Sequence, residues 1–257
     1  MNDSLYIAAT GMQAQQTSIE TIAHNLANVN TPTFKAGRIN FQELMLSEQA
    51  GTPNAASANP ATLGVGVAVD SVGKDFSTGQ LTQTNSPLDL AINGAGFLEV
   101  TLPDGSHAYT RGGTLQVTKD AYLATAGGNL LKPAIHVPQD IASLLIDSTG
   151  KVWARTSSQQ QATEIGQIEL ANFANPAALR SVGNGSYVST DASGEATYSK
   201  PGTGNVGTLA QGSLESSNVS LVNEMVNLMV AQRAYELSSK VIQASDEIMS
   251  LTNNLRR

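Results

Sequence analysis

The chain has 257 residues, and 14 Lys and Arg against 21 Asp and Glu give 14 − 21, a formal net charge of −7 at neutral pH. An acidic balance without a basic stripe disfavours nucleic-acid binding, and the absence of cysteine excludes disulfides, thiolate metal sites and a cysteine nucleophile. Charged residues make up only 14%, against roughly 25% in ordinary soluble domains, so the surface is expected to be neutral and polar and to repel neighbours weakly.

At the N-terminus, Leu5, Ala8, Met12, Gln15, Ile19, Ile22, Leu26 and Val29 recur at alternating spacings of three and four. That is a heptad seam interrupted once by Gln15, and it predicts an amphipathic helix over residues 5–29. Asn2 or Ser4 is positioned to cap it, and Pro32 stops it. Such a helix is about 37 Å long, too long and too thinly apolar to enclose a core of its own. Residues 47–62 are Ala, Ser, Asn and Pro with almost no large apolar side chain, which reads as an extended arm.

From Leu88 onward the period becomes that of strands. Leu98–Leu102, the turn Pro103–Gly105 and His107–Thr110 predict a hairpin. Leu115–Val117, Tyr122–Thr125 and Leu130 continue it as a meander. Leu144–Ile146 with Val152–Ala154 form a second hairpin, and Ile165–Phe173 reads as one further strand. Residues 183–207, rich in glycine, read as connecting loops.

The C-terminus mirrors the start. Val230, Ala234, Leu237, Val241, Ala244, Ile248, Leu251 and Leu255 form a second heptad seam, widened by Leu221, Val222, Met225, Leu228 and Tyr235. Asn218 or Ser220 can cap this helix, and Arg256 and Arg257 complement its dipole. The expected class is therefore α+β, with paired, coiled-coil-like N- and C-terminal helices flanking a mainly-β central domain. The expected division is 1–35 with 216–257 as the helical core, 36–87 as a polar arm and connector, and 88–215 as the β-rich domain. A two-helix seam leaves apolar flanks uncovered, which implies further copies or partners.

No catalytic constellation stands above background. Gly202-Thr203-Gly204-Asn205-Val206-Gly207 fits GxGxxG, but it follows Pro201 and is not followed by a helix, so it is not read as a dinucleotide site. His24, His107 and His136 lack ligand spacing, and the Asp140/Asp147 and Asp191/Glu195 pairs are ordinary turn acids. Trp153 is expected in the β core. No metal, cofactor or catalytic residue is assigned. No segment approaches the roughly 20 apolar residues of a membrane helix. The start lacks a cleavable secretory signal, so the chain is expected either to stay in the cytosol or to leave by a route that reads none.

Three separated stretches carry a resemblance. Asn25-Leu26-Ala27-Asn28-Val29-Asn30-Thr31-Pro32-Thr33-Phe34-Lys35 resembles the N-terminal signature of the bacterial flagellar rod and hook proteins. Glu215-Ser216-Ser217-Asn218-Val219 with Gln232-Arg233-Ala234-Tyr235-Glu236 resembles their C-terminal signature. Asp89–Phe97 and Pro103-Asp104-Gly105-Ser106 with Tyr109-Thr110-Arg111 resemble their central region. Within the family, the length and the polar arm match the distal-rod branch, with the proximal-rod branch (FlgF-type) as runner-up.

Two positions depart from the family pattern. Thr33 stands where glycine is usual, and since Thr tolerates positive φ poorly the turn geometry is left open. Gly112 stands where a charged residue is common.

The resemblance implies a helical homopolymer, a hollow driveshaft crossing the periplasm and exported by the flagellar type III system. It also implies terminal helices lining the inner tube, a β domain facing outward, and an arm bracing neighbours. The implied partners are further copies, proximal rod subunits, the hook protein and the P- and L-ring proteins, with neither nucleic acid nor membrane insertion. The assembly seams are assigned to Leu5, Ala8, Met12, Ile19, Ile22, Leu26, Val29, Val230, Leu237, Val241, Ile248 and Leu251. The family motif residues are Asn25, Asn28, Phe34, Lys35, Asn218, Arg233 and Tyr235. A rival reading is a binding or carbohydrate-active β domain with a cleft around Trp153 and Tyr122 and a helical dimerisation clamp.

Overall fold

The computed structural model of the chain describes residues 2–47, 62–156 and 161–255. The chain divides into two compact units. One comprises Met1–Ala27, Gly37–Gly73 and Ser220–Arg257, the other Asn28–Ala36 and Lys74–Val219. Residues 37–73 thus group with the helices, and residues 74–87 with the strands.

The first unit holds α1 (Asn2–Ala27), β1 (Gly37–Ser47), β2 (Thr62–Lys74) and α2 (Leu221–Leu255). α1 stops ahead of Pro32, and Thr31 N–H bonds back to the Asn28 carbonyl in the turn that follows. At the start of α2 the Ser220 carbonyl accepts the Glu224 N–H at 2.9 Å, which makes Ser220 the residue at the helix boundary. Capping at Asn2 or Ser4 concerns side chains outside the described ones, as do Leu255, Arg256 and Arg257.

The two helices pack along their length, and two contacts fix the direction. Asn25 lies against Glu224, and a Cβ added at Gly11 would come to 3.8 Å from the Ser238 hydroxyl. Fourteen residues forward on one helix match fourteen backward on the other, so the pair is antiparallel. Its seam is small-residued, with Ala8, Ala14 and Ile22 buried on α1 and Ala231 buried on α2. β1 and β2 form a two-stranded sheet, with β1 against α1. They flank the stretch expected to be an extended arm, of which residues 48–61 lie outside the described residues.

The second unit is antiparallel β. Its strands are β3 (Leu81–Gln83), β4 (Asp89–Asn93), β5 (Phe97–Thr101), β6 (His107–Thr110), β7 (Gly112–Val117), β8 (Leu123–Thr125), β9 (Leu130–Lys132), β10 (Ile141–Ile146), β11 (Lys151–Thr156), β12 (Thr163–Gln167), β13 (Leu170–Asn172), β14 (Arg180–Gly183), β15 (Ser186–Val188), β16 (Thr197–Ser199), β17 (Thr208–Gln211) and β18 (Ser213–Glu215). An eleven-stranded sheet runs β14-β15-β6-β5-β9-β8-β7-β4-β17, with β13 joining β5 to β16. β10-β11-β12 and β18-β3 are separate sheets.

The predicted hairpins stand as β5–β6, with Leu98 opposite Thr110, and β10–β11, with Leu145 opposite Trp153. Two expectations are corrected. Ile165–Phe173 is not one strand, because the chain changes sheets between β12 and β13, where buried Ile168 bonds to the Gly150 carbonyl. Residues 183–207 carry strands β15 and β16 as well as loops. Strands of three residues, Ser-Tyr-Val and Thr-Tyr-Ser, are too short to show a period and are set by pairing rather than propensity.

An aliphatic core of Leu90, Ile92, Leu98, Val100, Leu123, Leu131, Ile135, Val152 and Ile168 fills this unit. A second, aromatic cluster stacks edge to face, with Phe76 and Phe97 centroids 5.0 Å apart and Tyr109 and Phe173 4.7 Å apart. Trp153, expected in the core, is instead only half-buried on β11, with Lys151 over its ring, because Val152 and Ala154 take the inward positions.

Tyr187 belongs to the aromatic cluster, and its burial pushes the phenol up to about 12. The unfolded phenol ionises near 10, so above that pH the unfolded chain sheds a proton that the folded chain keeps, and stability falls as pH rises from 10 to about 12. The two-unit gap corresponds to about 2–3 kcal/mol. Tyr187→Phe is expected to flatten this alkaline loss in urea titrations run across that range.

Candidate functional site

The three sequence motifs meet at one buried ion cluster within the β-rich unit. Glu215, at the end of β18, is fully buried and accepts Lys35 Nζ at 2.7 Å and the Gly79 N–H at 2.8 Å. Arg111, in the one-residue gap between β6 and β7, brings Nε to 3.3 Å from the same carboxylate. Its Nη1 and Nη2 donate to the Gly96 and Gly94 carbonyls at 2.6 and 2.8 Å. Lys35 also donates to the Ser77 carbonyl at 2.7 Å. Two cations and one anion share the space, and burial holds the Lys35 ammonium below its usual range despite the Glu215 partner.

The segment that follows α1 in sequence and the one that precedes α2 are both fastened here. Thr33 N–H donates to the Glu215 carbonyl at 2.7 Å. Asn218 accepts from Ala36 N–H at 2.8 Å and donates to the Asp75 carbonyl at 2.8 Å, so its side chain ties backbone rather than capping α2. Phe34 lies under the Lys74 ammonium, 4.8 Å from the ring centroid. In the helical unit Asn25 does a matching job, accepting from Gly37 N–H at 2.7 Å and donating to Gly37 O at 3.0 Å and Glu224 at 3.3 Å. Asn28 accepts from the Thr31 hydroxyl at 3.2 Å. Arg233 and Tyr235 are exposed on α2, with Arg233 3.4 Å from Glu236.

Sequence reasoning named Lys35 but not its partners Arg111 and Glu215 as a cluster. The available signal was a charged residue in each of three short motifs beside glycine or apolar strand residues, where a charge is buried only if paired.

Thr33 sits at φ 61°, so this position does require the left-handed region that glycine would enter freely. Its hydroxyl donates to the Pro32 carbonyl at 2.6 Å. Thr33→Gly is expected to stabilise the β-rich unit by about 1 kcal/mol by relieving a β-branched residue at positive φ, read as a raised urea midpoint. At Gly112, φ 112°, an added Cβ would collide with the Leu90 carbonyl across the β4–β7 ladder, so this chain cannot carry a larger residue there without moving β4.

The seam residues divide. On α1, Ala8 and Ile22 are buried and Leu5, Met12, Ile19 and Leu26 half-buried; Val29, beyond the helix, is half-buried too. On α2 most of the predicted residues are exposed, while Ala234 is half-buried. Val230 is 62% exposed, Leu237 63% and Leu251 63%, and Val241 and Ile248 are about as open. The buried and half-buried small and apolar positions of α2 include Leu228, Ala231, Ala234, Ser238 and Ile242. The reason is that α2 has two apolar stripes, and the one with small residues allows the closer helix approach. The outer stripe continues through Val222, Met225, Val226 and Met229, all exposed. An apolar groove of about 600 Å³ in this unit is lined by Ile7, Ala8, Gly11, Val67, Leu237 and Val241 among others.

Among the described residues no His, Asp or Glu cluster could hold a metal, and none of the helices is long and apolar enough to cross a membrane. Gly202–Gly207 forms a turn closed by a Gly202 N–H to Gly207 O bond of 2.9 Å.

Residues 5–35 match the family model described as flagella basal body rod protein, residues 91–154 that of the flagellar hook protein FlgE/F/G D1 domain, and residues 210–255 that of the flagellar basal body rod FlgEFG protein C-terminal region. The chain is 40% identical to the flagellar basal-body rod protein FlgG of Caulobacter vibrioides, over 98% of this chain and 99% of that one. It is 40% identical to FlgG of Borreliella burgdorferi over the whole of both chains, and 35% identical to FlgG of Bacillus subtilis over 99% of both. Lys35, Arg111 and Glu215 fall one in each of the three matched segments.

Proposed function

The chain belongs to the flagellar basal-body rod protein family and is a structural subunit of the distal rod, and from that premise we propose how it assembles and works. Copies stack head to tail into an open helical homopolymer, because a repeating contact that does not close gives a filament. The observation that carries this reading is the outer stripe of α2. Large apolar side chains are exposed along it from Val222 to Leu251, and charged residues make up only 14% of the whole chain, so repulsion between copies is weak. Its role is mechanical rather than catalytic. Torque passes between copies through the helices and reaches the β-rich unit through segments locked at the Lys35–Glu215–Arg111 cluster. Export by the flagellar type III system, a periplasm-spanning position, and neighbours among proximal rod subunits, hook protein and ring proteins complete the proposal.

Light scattering across a concentration series tests it. Open-ended growth above a critical concentration is expected, whereas a plateau at two chains would favour a local dimerisation clamp.

A further inference from the structure

Beside Thr33 the β-rich unit contains a small pocket of about 160 Å³, below the roughly 300–1,000 Å³ of pockets that enclose whole small ligands. Its walls include Thr33, Gly112, Gly113, Asn129, Asn184 and Ser186, and no charged side chain lines it. Ser186 is only 4% exposed and Asn129 only 9%. Neither side chain makes a hydrogen bond among the described residues, yet no described polar atom is both sealed from solvent and unpartnered. The little surface these two retain therefore opens into the pocket.

An amide and a hydroxyl that are nine-tenths buried, bond to no other group of the chain and keep a little surface toward the pocket are met there by water or by a group that enters it. Asn129 offers two N–H donors and one acceptor, and Ser186 one of each. The complement must be small, must both donate and accept, and must be neutral, because nothing in the pocket would balance a charge. A carboxamide meets all three conditions.

We propose that this pocket is a socket for a carboxamide side chain presented by a neighbouring copy of the chain. The second half of that statement rests on the homopolymer reading. Asn and Gln number 19 + 16 = 35, as many as the 14 + 21 = 35 charged residues, so such groups are abundant on the surface of a second copy. The chain already uses Asn25 and Asn218 in this manner, as fasteners that donate and accept at once.

The socket itself is tested by NMR on dilute full-length chain, following the backbone amides of Gly113, Asn184 and Ser186 in the pocket wall during titration with acetamide, acetate or methylammonium. Acetamide is expected to give saturable, millimolar shifts, weakened at least about tenfold in Ser186→Ala and Asn129→Leu, whose remaining spectra should match the unaltered chain. Shifts that never saturate, or that acetate reproduces, overturn the socket and leave a pocket that holds water only. The neighbour is tested separately in the polymer, where Asn129→Leu is expected to raise the critical concentration about tenfold. An unchanged critical concentration alongside saturable acetamide binding overturns the neighbour as the source. If the chain forms no polymer at any concentration, the reading under Proposed function fails while the acetamide titration still decides the socket.

Discussion

Glu215→Ala is expected to lower the stability of the β-rich unit by about 3–5 kcal/mol, because it leaves two buried cations without their shared anion. Lys35→Met should be far milder, under half of that. The cluster of Lys35, Arg111 and Glu215 carries a formal +1, and removing Lys35 leaves a neutral, bonded Arg–Glu pair with the Gly94 and Gly96 carbonyls still satisfied. Trp153, the single tryptophan, lies on β11 of the same unit and reports its unfolding by fluorescence in urea. The order of the two variants matters more than either value. If Lys35→Met proved as damaging as Glu215→Ala, the carboxylate would not be the hub of the cluster. If Glu215→Ala cost under about 1 kcal/mol, the cluster would be no better than a surface ion pair.

The legible parts of this chain were those where period or turn chemistry acts locally. α1 and α2 announced themselves by spacing, and the β5–β6 and β10–β11 hairpins by Pro103-Asp104-Gly105 and the turn ending at Gly150. What could not be read depended on sequence-distant pairing. β14, β15 and β16 are short, and they become strands only because β15, β6 and β13 respectively offer ladder partners. The charge cluster joins residues up to 180 positions apart, and no spacing rule spans that distance. Thr33 shows a partial reading, since the sequence flagged an unusual residue and only the backbone at φ 61° says that the left-handed turn persists and is strained. The heptad spacing at both ends falls, Val29 apart, on residues that are helical. On α2, however, two stripes share that period: Ala231 is buried and Ser238 half-buried beside Gly11, whereas Leu237 and Val241 stay exposed along the groove they share with Ile7 and Ala8, because closer packing favours small side chains.

That division of stripes makes the second large-effect prediction selective. Val230→Asp and Leu251→Asp place a carboxylate on the outer face of α2, where the side chain is more than half open. The isolated chain should therefore keep its helical signal and its Trp153 fluorescence, with stability changed by less than about 0.5 kcal/mol. In a polymer that covers this face, the same carboxylate would be buried without a partner. A cost of about 3 kcal/mol per contact raises the critical concentration more than about 100-fold. Ile22→Asp should behave differently, because Ile22 is already buried within the single chain; it is expected to loosen the helical unit in the monomer as well as to block growth. Hydrogen exchange on dilute chain separates the cases, with faster exchange confined to the helices in Ile22→Asp and an unchanged pattern in Val230→Asp. Full-length filaments from Val230→Asp or Leu251→Asp at the usual concentration would mean that the outer stripe of α2 stays exposed in the polymer, and that the copies are held together elsewhere.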